Sequence, residues 1–78
     1  MSSLQVTNIA LVGIGTIGQR HHMAIEKTNN VHLVGIVDLS NQAKDYSEDK
    51  RIPLYKNLND LKINHYVDGV IISTPTIF

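Results

Sequence analysis

The chain contains no cysteine. That excludes disulfides and thiolate metal sites, and it leaves the redox compartment unreadable from thiols. An excess of one charge is also missing. Lysine plus arginine and aspartate plus glutamate number seven each, for a formal net charge of +0. That balance removes the electrostatic reason to expect a nucleic-acid partner or an anionic membrane surface. No apolar run approaches the ~20 residues needed to span a bilayer. The opening Met1-Ser2-Ser3-Leu4-Gln5 lacks the basic region and apolar core of a secretory signal. There is no internal repeat and no low-complexity segment. The expectation is a soluble cytoplasmic protein. At 78 residues it has room for one small domain, burying little more than ~60% of the surface its unfolded chain exposes.

What is present is concentrated in one stretch, Ile9-Ala10-Leu11-Val12-Gly13-Ile14-Gly15-Thr16-Ile17-Gly18. It predicts a buried strand, a tight turn and the first turn of a helix. The glycines have the G-x-G-x-x-G spacing of a dinucleotide-binding turn, in which each has a separate task. Gly13 lets the chain reverse as the strand ends. Gly15, with no Cβ, lets a diphosphate approach the backbone. Gly18 lets the helix pack closely against the strand. The helix start aims unpaired N–H groups and about half a positive charge at the phosphates. Three glycines in six residues also occur in ordinary turns, so the pattern needs a strand before it and an acidic residue ending the next strand. Both conditions hold. A second apolar run, Val31 to Val37, ends on Asp38, twenty positions after Gly18.

Taken in order, Ile9 to Val12 is apolar without alternation, as in a strand covered on both faces of a parallel sheet. The next helix is expected from about Thr16 to Thr28. Ile17, His21, Ala24 and Ile25 form its sheet-facing stripe, and Asn29-Asn30 stops it. Val31 to Val37 is the second strand, with Gly35 marking a close approach or bend. Ser40 caps a short helix through about Ser47, with Ala43 and Tyr46 facing inward. The alternating charges from Lys44 to Arg51 make a solvated surface. Ile52 to Tyr55 is an edge strand, because Pro53 cannot donate to a ladder. Asn57 and Asp60 resemble a capping box for a helix whose apolar side is Leu58 and Leu61. Asp68-Gly69 turns into a fourth strand, Val70 to Ser73, which Thr74-Pro75 ends.

The order β-α-β-α-β-α-β with right-handed crossovers predicts a Rossmann-type parallel α/β sheet of strand order 3-2-1-4, the first half of a doubly wound domain. The first and fourth strands meet where the winding reverses. The cleft at their carboxyl ends is the ligand site of such sheets. Gly13 to Gly18 and Thr74-Pro75 fall at that edge.

Asp38 is the specificity residue. Its carboxylate can accept from both hydroxyls of an adenosine ribose, and it repels a 2′-phosphate by up to ~4 kcal/mol at ~4 Å and an effective dielectric of ~20, before screening. No arginine follows at Leu39 or Ser40, so NAD is expected over NADP. His21 and His22 do not suggest a metal site, since adjacent helix residues point ~100° apart and no third ligand completes a set. A packed, hydrogen-bonded role suits His21. Ser73 and Thr74 have no base partner and are not expected to be nucleophiles. Tyr46, Tyr55 and Tyr66 are expected in the core or cleft wall.

These features together resemble the N-terminal half of the Gfo/Idh/MocA family (glucose–fructose oxidoreductase, inositol dehydrogenase, rhizopine catabolism). The likeness rests on four segments: Gly13 to Gly18 followed by His21; Gly35-Ile36-Val37-Asp38; Leu54-Tyr55 with Leu58 to Leu61; and Asp68-Gly69-Val70-Ile71-Ile72-Ser73-Thr74-Pro75-Thr76. The last is the most distinctive. The resemblance implies an NAD(P)-dependent oxidoreductase that passes hydride between the nicotinamide and a carbinol carbon of a sugar, cyclitol or related polyol. The cofactor-binding set is then Gly13, Ile14, Gly15, Thr16, Ile17, Gly18, Asp38, Ser73, Thr74 and Pro75, the last three beside the nicotinamide half.

The departures from the family are equally informative. Its catalytic lysine lies in a Glu-Lys-Pro tripeptide, and an Asp/His pair comes from a second α/β domain. Neither Pro53 nor Pro75 follows Glu-Lys, and the second domain is expected to lie outside these 78 residues. No catalytic residue carries over, no metal ligand is expected, and the fourth strand is left as an apolar edge. The expectation is a partial NAD(P)-binding domain over residues 1–78, not catalytic alone, whose full-length form takes a small polar substrate and is open to oligomer formation. The rivals are the N-terminal piece of a homoserine-dehydrogenase-like or dihydrodipicolinate-reductase-like enzyme, and a non-catalytic nucleotide-sensing or interaction module.

Overall fold

In a computed structural model, which describes residues 5–74, seven elements follow one another. They are β1 (Thr7–Val12), α1 (Thr16–Glu26), β2 (Val31–Val37), α2 (Asn41–Lys50), β3 (Leu54–Tyr55), α3 (Leu58–Asn64) and β4 (Gly69–Ile72). All strand pairs are parallel and the sheet order is β3-β2-β1-β4. This is the Rossmann-type order that right-handed crossovers require. Strands with apolar residues on both faces need cover on both, and each face has its own core. Leu11, Leu33 and Ile36 pack with Ile14, with Ile25 of α1 and with Ala43 of α2. Ala10, Val34 and Val37 pack on the opposite face with Leu61 of α3.

Gly35 fulfils both of its expectations. The β1–β2 register slips between Ile9 and Ala10, which pair with Leu33 and Gly35, so Val34 is an extra residue in β2. Such a bulge turns the strand locally. A Cβ on Gly35 would stand 2.8 Å from Leu61 Cδ1 and 3.2 Å from Tyr55 Cε2. Glycine is what lets α3 settle onto the bulged strand.

The helix ends follow local chemistry. α1 ends earlier than the expected Asn29-Asn30 stop, with Lys27 as its right-handed C-cap, and Asn30 instead takes φ 63° in the turn into β2, a conformation asparagine tolerates. Ser40 Oγ accepts from the Ala43 N–H at 3.1 Å, and Asn57 Oδ1 accepts from the Asp60 N–H at 2.8 Å. The Asn57 side-chain amide also donates to the Asp60 carboxylate at 3.3 Å. Asp68 makes its turn by a reciprocal pair: its N–H donates to Asn8 O, and its carboxylate accepts from the Asn8 N–H at 2.7 Å.

Several boundaries and faces differ from the sequence reading. α1 ends at Glu26, and its buried residues are Gly18, His22 and Ile25. Its inner face is therefore turned from the predicted stripe. Ile17 is 53% exposed, Ala24 is exposed, and His22 rather than His21 is the buried histidine. The cause is Gly18, which sits against Gly13 and sets the helix phase. α2 runs three residues beyond Ser47 and stops where Arg51 takes φ 58°. The alternating charges are thus its solvent side plus its C-cap. β3 is only two residues long, although Pro53 O still accepts from the Ile36 N–H. β4 starts at Gly69 and ends before Ser73. Tyr46 and Tyr55 are half-buried as expected, but Tyr66 is 76% exposed. Among the described residues no helix is long and apolar enough to cross a membrane.

Candidate functional site: a glycine turn facing an aspartate

β1 is fastened on both sides where it ends. The Gly13 N–H donates to Val37 O at 2.9 Å, and the Ser73 N–H donates to Val12 O at 2.7 Å. The turn leaving β1 therefore starts from a fixed point at the carboxyl edge of the sheet. Gly13 has φ 92° and no room for a side chain, since a Cβ would lie 2.9 Å from Thr74 Cγ2 and 3.1 Å from Thr74 N. Gly18 is tighter still: its Cβ would lie 2.1 Å from Gly13 O. Gly15 is the opposite case, with nothing within 4 Å of the position its Cβ would take. Two of the three glycines are closed in by the protein, and the middle one faces open space.

Gly15 is the N-cap of α1 and has no side chain to bond the first-turn N–H groups. No acidic residue lies in that turn, so its partial positive charge is uncompensated from within the helix. Ile14 turns its side chain into the core, at 1% exposure. The Gln19 amide donates to Ile14 O at 3.2 Å and braces the turn from behind.

Asp38 reaches this turn directly. Its Oδ2 accepts from the Ile14 N–H at 2.9 Å and its Oδ1 from the Ser40 N–H at 2.8 Å. Burial works to raise its pKa, but the N–H groups of Ser40 and Ile14 together hold it below the ordinary carboxylate value. An ionised carboxylate has about four acceptor sites, so both oxygens keep capacity toward the cleft.

The cleft has a volume of about 490 Å³. Gly13, Gly15, Thr16 and Ile17 line one side, Asp38, Ser40 and Gln42 another, and Ser73 and Thr74 a third. Ser73 Oγ is buried with no hydrogen-bond partner among the described residues. A second hollow of about 250 Å³ continues from Asp38 past Leu39, Lys44, Leu54, Tyr55 and Lys56. Of the residues singled out in the sequence, Gly13, Gly15, Thr16, Ile17, Asp38, Ser73 and Thr74 share this cleft. Ile14 and Gly18 do not line it: the Ile14 side chain is in the core and Gly18 packs against Gly13, and Pro75 lies outside the described residues. Sequence reasoning missed Gln19 and Gln42. The signal for Gln42 was its place just after the Ser40 cap, one helical step from Asp38. His21 and His22 belong to no group of three or more metal-ligating side chains among the described residues.

Comparison with known proteins agrees with this geometry. Residues 7–78 match the profile of the Gfo/Idh/MocA oxidoreductase family, in its NAD-binding Rossmann fold. Comparison with curated protein sequences finds no match. Similar solved structures include the WlbA dehydrogenase of Chromobacterium violaceum in complex with NADH and UDP-GlcNAcA. It has 28% identity and a TM-score of 0.77, with 96% of this chain and 22% of that one covered. GenD2 from gentamicin A biosynthesis, in complex with NAD, has 22% identity and a TM-score of 0.80, covering 95% and 22%. The scyllo-inositol dehydrogenase of Lactobacillus casei has 20% identity and a TM-score of 0.79, covering 95% and 23%. The chain thus spans about a fifth of the length of these relatives. Glycine turn, facing aspartate, strand order and family profile agree: the chain belongs to the Gfo/Idh/MocA oxidoreductase family, matching its NAD-binding Rossmann fold over residues 7–78.

Proposed function

We propose that this cleft holds NAD, as the dinucleotide-binding part of an oxidoreductase acting on a sugar, cyclitol or related polyol. The observation that carries the reading is the meeting of Asp38 and the glycine turn across one cleft, with the carboxylate bonded to the turn itself. The uncapped first turn of α1 and the open space at Gly15 suit a diphosphate. Asp38 takes the adenosine ribose, and the hollow beyond it, walled by Leu39, Leu54 and Tyr55, suits the base. Ser73 and Thr74, followed by Pro75, lie toward the nicotinamide half, where the unpartnered Ser73 hydroxyl gains an acceptor or donor. Bound there, the cofactor supplies a hydride acceptor and donor. The protein's part in this chain is to bind and orient it.

Asp38 favours NAD over NADP by repelling a 2′-phosphate. Lys44 and Lys56 line the same hollow and offset part of that repulsion, so the preference is a moderate one. The substrate class is supported by the scyllo-inositol dehydrogenase and by the WlbA dehydrogenase solved with UDP-GlcNAcA among the similar structures. Their greater length supports reading the chain as the first part of a two-domain protein. Among the described residues Asp38 is the one acid–base group lining the cleft, and the 78-residue chain is expected to bind without turnover. Titration calorimetry with NAD and NADP tests the assignment, together with Gly15→Ala. The substitution fits the observed φ of −68° and the open space, so the fold is kept with at most about 1 kcal/mol lost at the N-cap while NAD binding is lost. Equal NAD affinity in Gly15→Ala, or tighter binding of NADP than NAD, would overturn the reading.

A further inference from the structure

The buried histidine of α1 is not accounted for by cofactor contact. His22 is 5% exposed and sits where the inward face of the helix calls for an apolar residue. Burying an imidazole is unfavourable unless its nitrogens are bonded, and both are. Nδ1 is 2.5 Å from the Tyr46 hydroxyl, and Nε2 is 2.9 Å from Glu26 Oε1. The rings of His22 and Tyr46 also meet edge to face, with centroids 5.6 Å apart. Burial and the negative charges of Glu26 and Asp49 raise the pKa of Tyr46, so its hydroxyl remains a donor. Nδ1 then accepts from Tyr46, and Nε2–H donates to Glu26.

Among the described residues, His22–Tyr46 is the one hydrogen bond that joins α1 to α2. These are the two helices whose first residues line opposite sides of the cleft: Thr16 and Ile17 on α1, Gln42 on α2, next to Ser40. We infer that His22 is a positioning residue, which through Tyr46 holds α1 at a fixed distance from α2 and so supports, from the helices behind it, the span that the Asp38–Ile14 bond makes between the glycine turn and Asp38. The inference rests on the cofactor reading for its consequence in binding, though not for its geometry. A ligand that bridges both sides, as a dinucleotide does, depends on that span. Adenosine alone, seated on the Asp38 side, does not.

The test uses the 78-residue chain with Tyr46→Phe, which removes one oxygen and keeps the ring, with His22→Leu, and with the double variant, each held below its own melting transition. Loss of one hydrogen bond predicts NAD binding weakened by about 3- to 10-fold in either single variant. The double variant is no weaker than the worse single one, because the two residues act as one unit. Adenosine affinity stays within about twofold. In the ligand-free chain, the Ile14 and Ser40 amide resonances, which report the bonds to Asp38, shift in both single variants. Unmoved amides, additive losses in the double variant, or equal losses for NAD and adenosine would overturn the inference. A wild-type chain that binds no dinucleotide would refute the cofactor reading, while the amide shifts would still decide this one.

Discussion

The two faces of the sheet are built alike and finished differently. Each has an apolar core and a tyrosine–histidine hydrogen bond: His22–Tyr46 where α1 and α2 lie, and Tyr55–His65, at 2.8 Å, where α3 lies. The α1/α2 face buries Leu11, Ile14, Ile25, Leu33, Ile36 and Ala43 and takes in Ile71 of β4. The α3 face buries Ala10, Val34, Val37 and Leu61, over the bulge in β2. Beyond that, Val70 and Ile72 of β4 are 38% and 71% exposed. The face that shapes the cleft is closed by two helices, and the other is closed over β3, β2 and part of β1 but not over β4. Stability and the candidate site are therefore concentrated on the same side.

Four substitutions break or sharpen this contrast. Gly18→Ala strikes the closed face where nothing can yield, because the new methyl meets the Gly13 carbonyl. It should remove most of the stability, about 4–12 kcal/mol for a domain this size, and leave no cooperative melt by circular dichroism. Leu61→Ala empties the centre of the smaller core and should cost about 2–5 kcal/mol by urea unfolding. A larger loss than for Gly18→Ala would reverse the ranking of the faces. Asp38→Asn keeps the shape but not the charge. The folded pKa of Asp38 is depressed, so its stabilisation is present above the unfolded carboxylate pKa, near ~4, and is lost as pH falls through the folded value. The variant should be about 1 kcal/mol less stable at neutral pH and flatter than wild type below pH ~4 in acid titration. Ile72→Thr, on the uncovered face, should change stability by less than about 0.5 kcal/mol and lower self-association in sedimentation velocity.

Much of this was legible in the residues. Crossover handedness orders the strands, Ser40 and Asn57 announce their helices, and Gly35 marks the bulge that Leu61 fills. The phase of α1 was not legible from its apolar residues. A stripe counted from Ile17 gives His21 and Ala24, whereas one counted from Gly18 gives His22 and Ile25, as observed. The anchor is a backbone contact, which hydrophobicity does not register. The end of α2 was missed for a related reason. Alternating charges are compatible with a solvated helix, and the left-handed stop falls on Arg51, a residue with no special liking for it. At the site, Asp38 and the glycines were evident, but the bracing by Gln19 depends on a carbonyl three-dimensionally near and unmarked in the sequence.

Because Gly18 rests on the carbonyl of Gly13, and Asp38 grips the amide between Gly13 and Gly15, the loop takes its shape from the protein's own contacts. On the proposed reading, a dinucleotide docking there surrenders its own freedom but asks for little rearrangement of its host. The recognition expected of such a loop is that of a rigid mould rather than a closing hand.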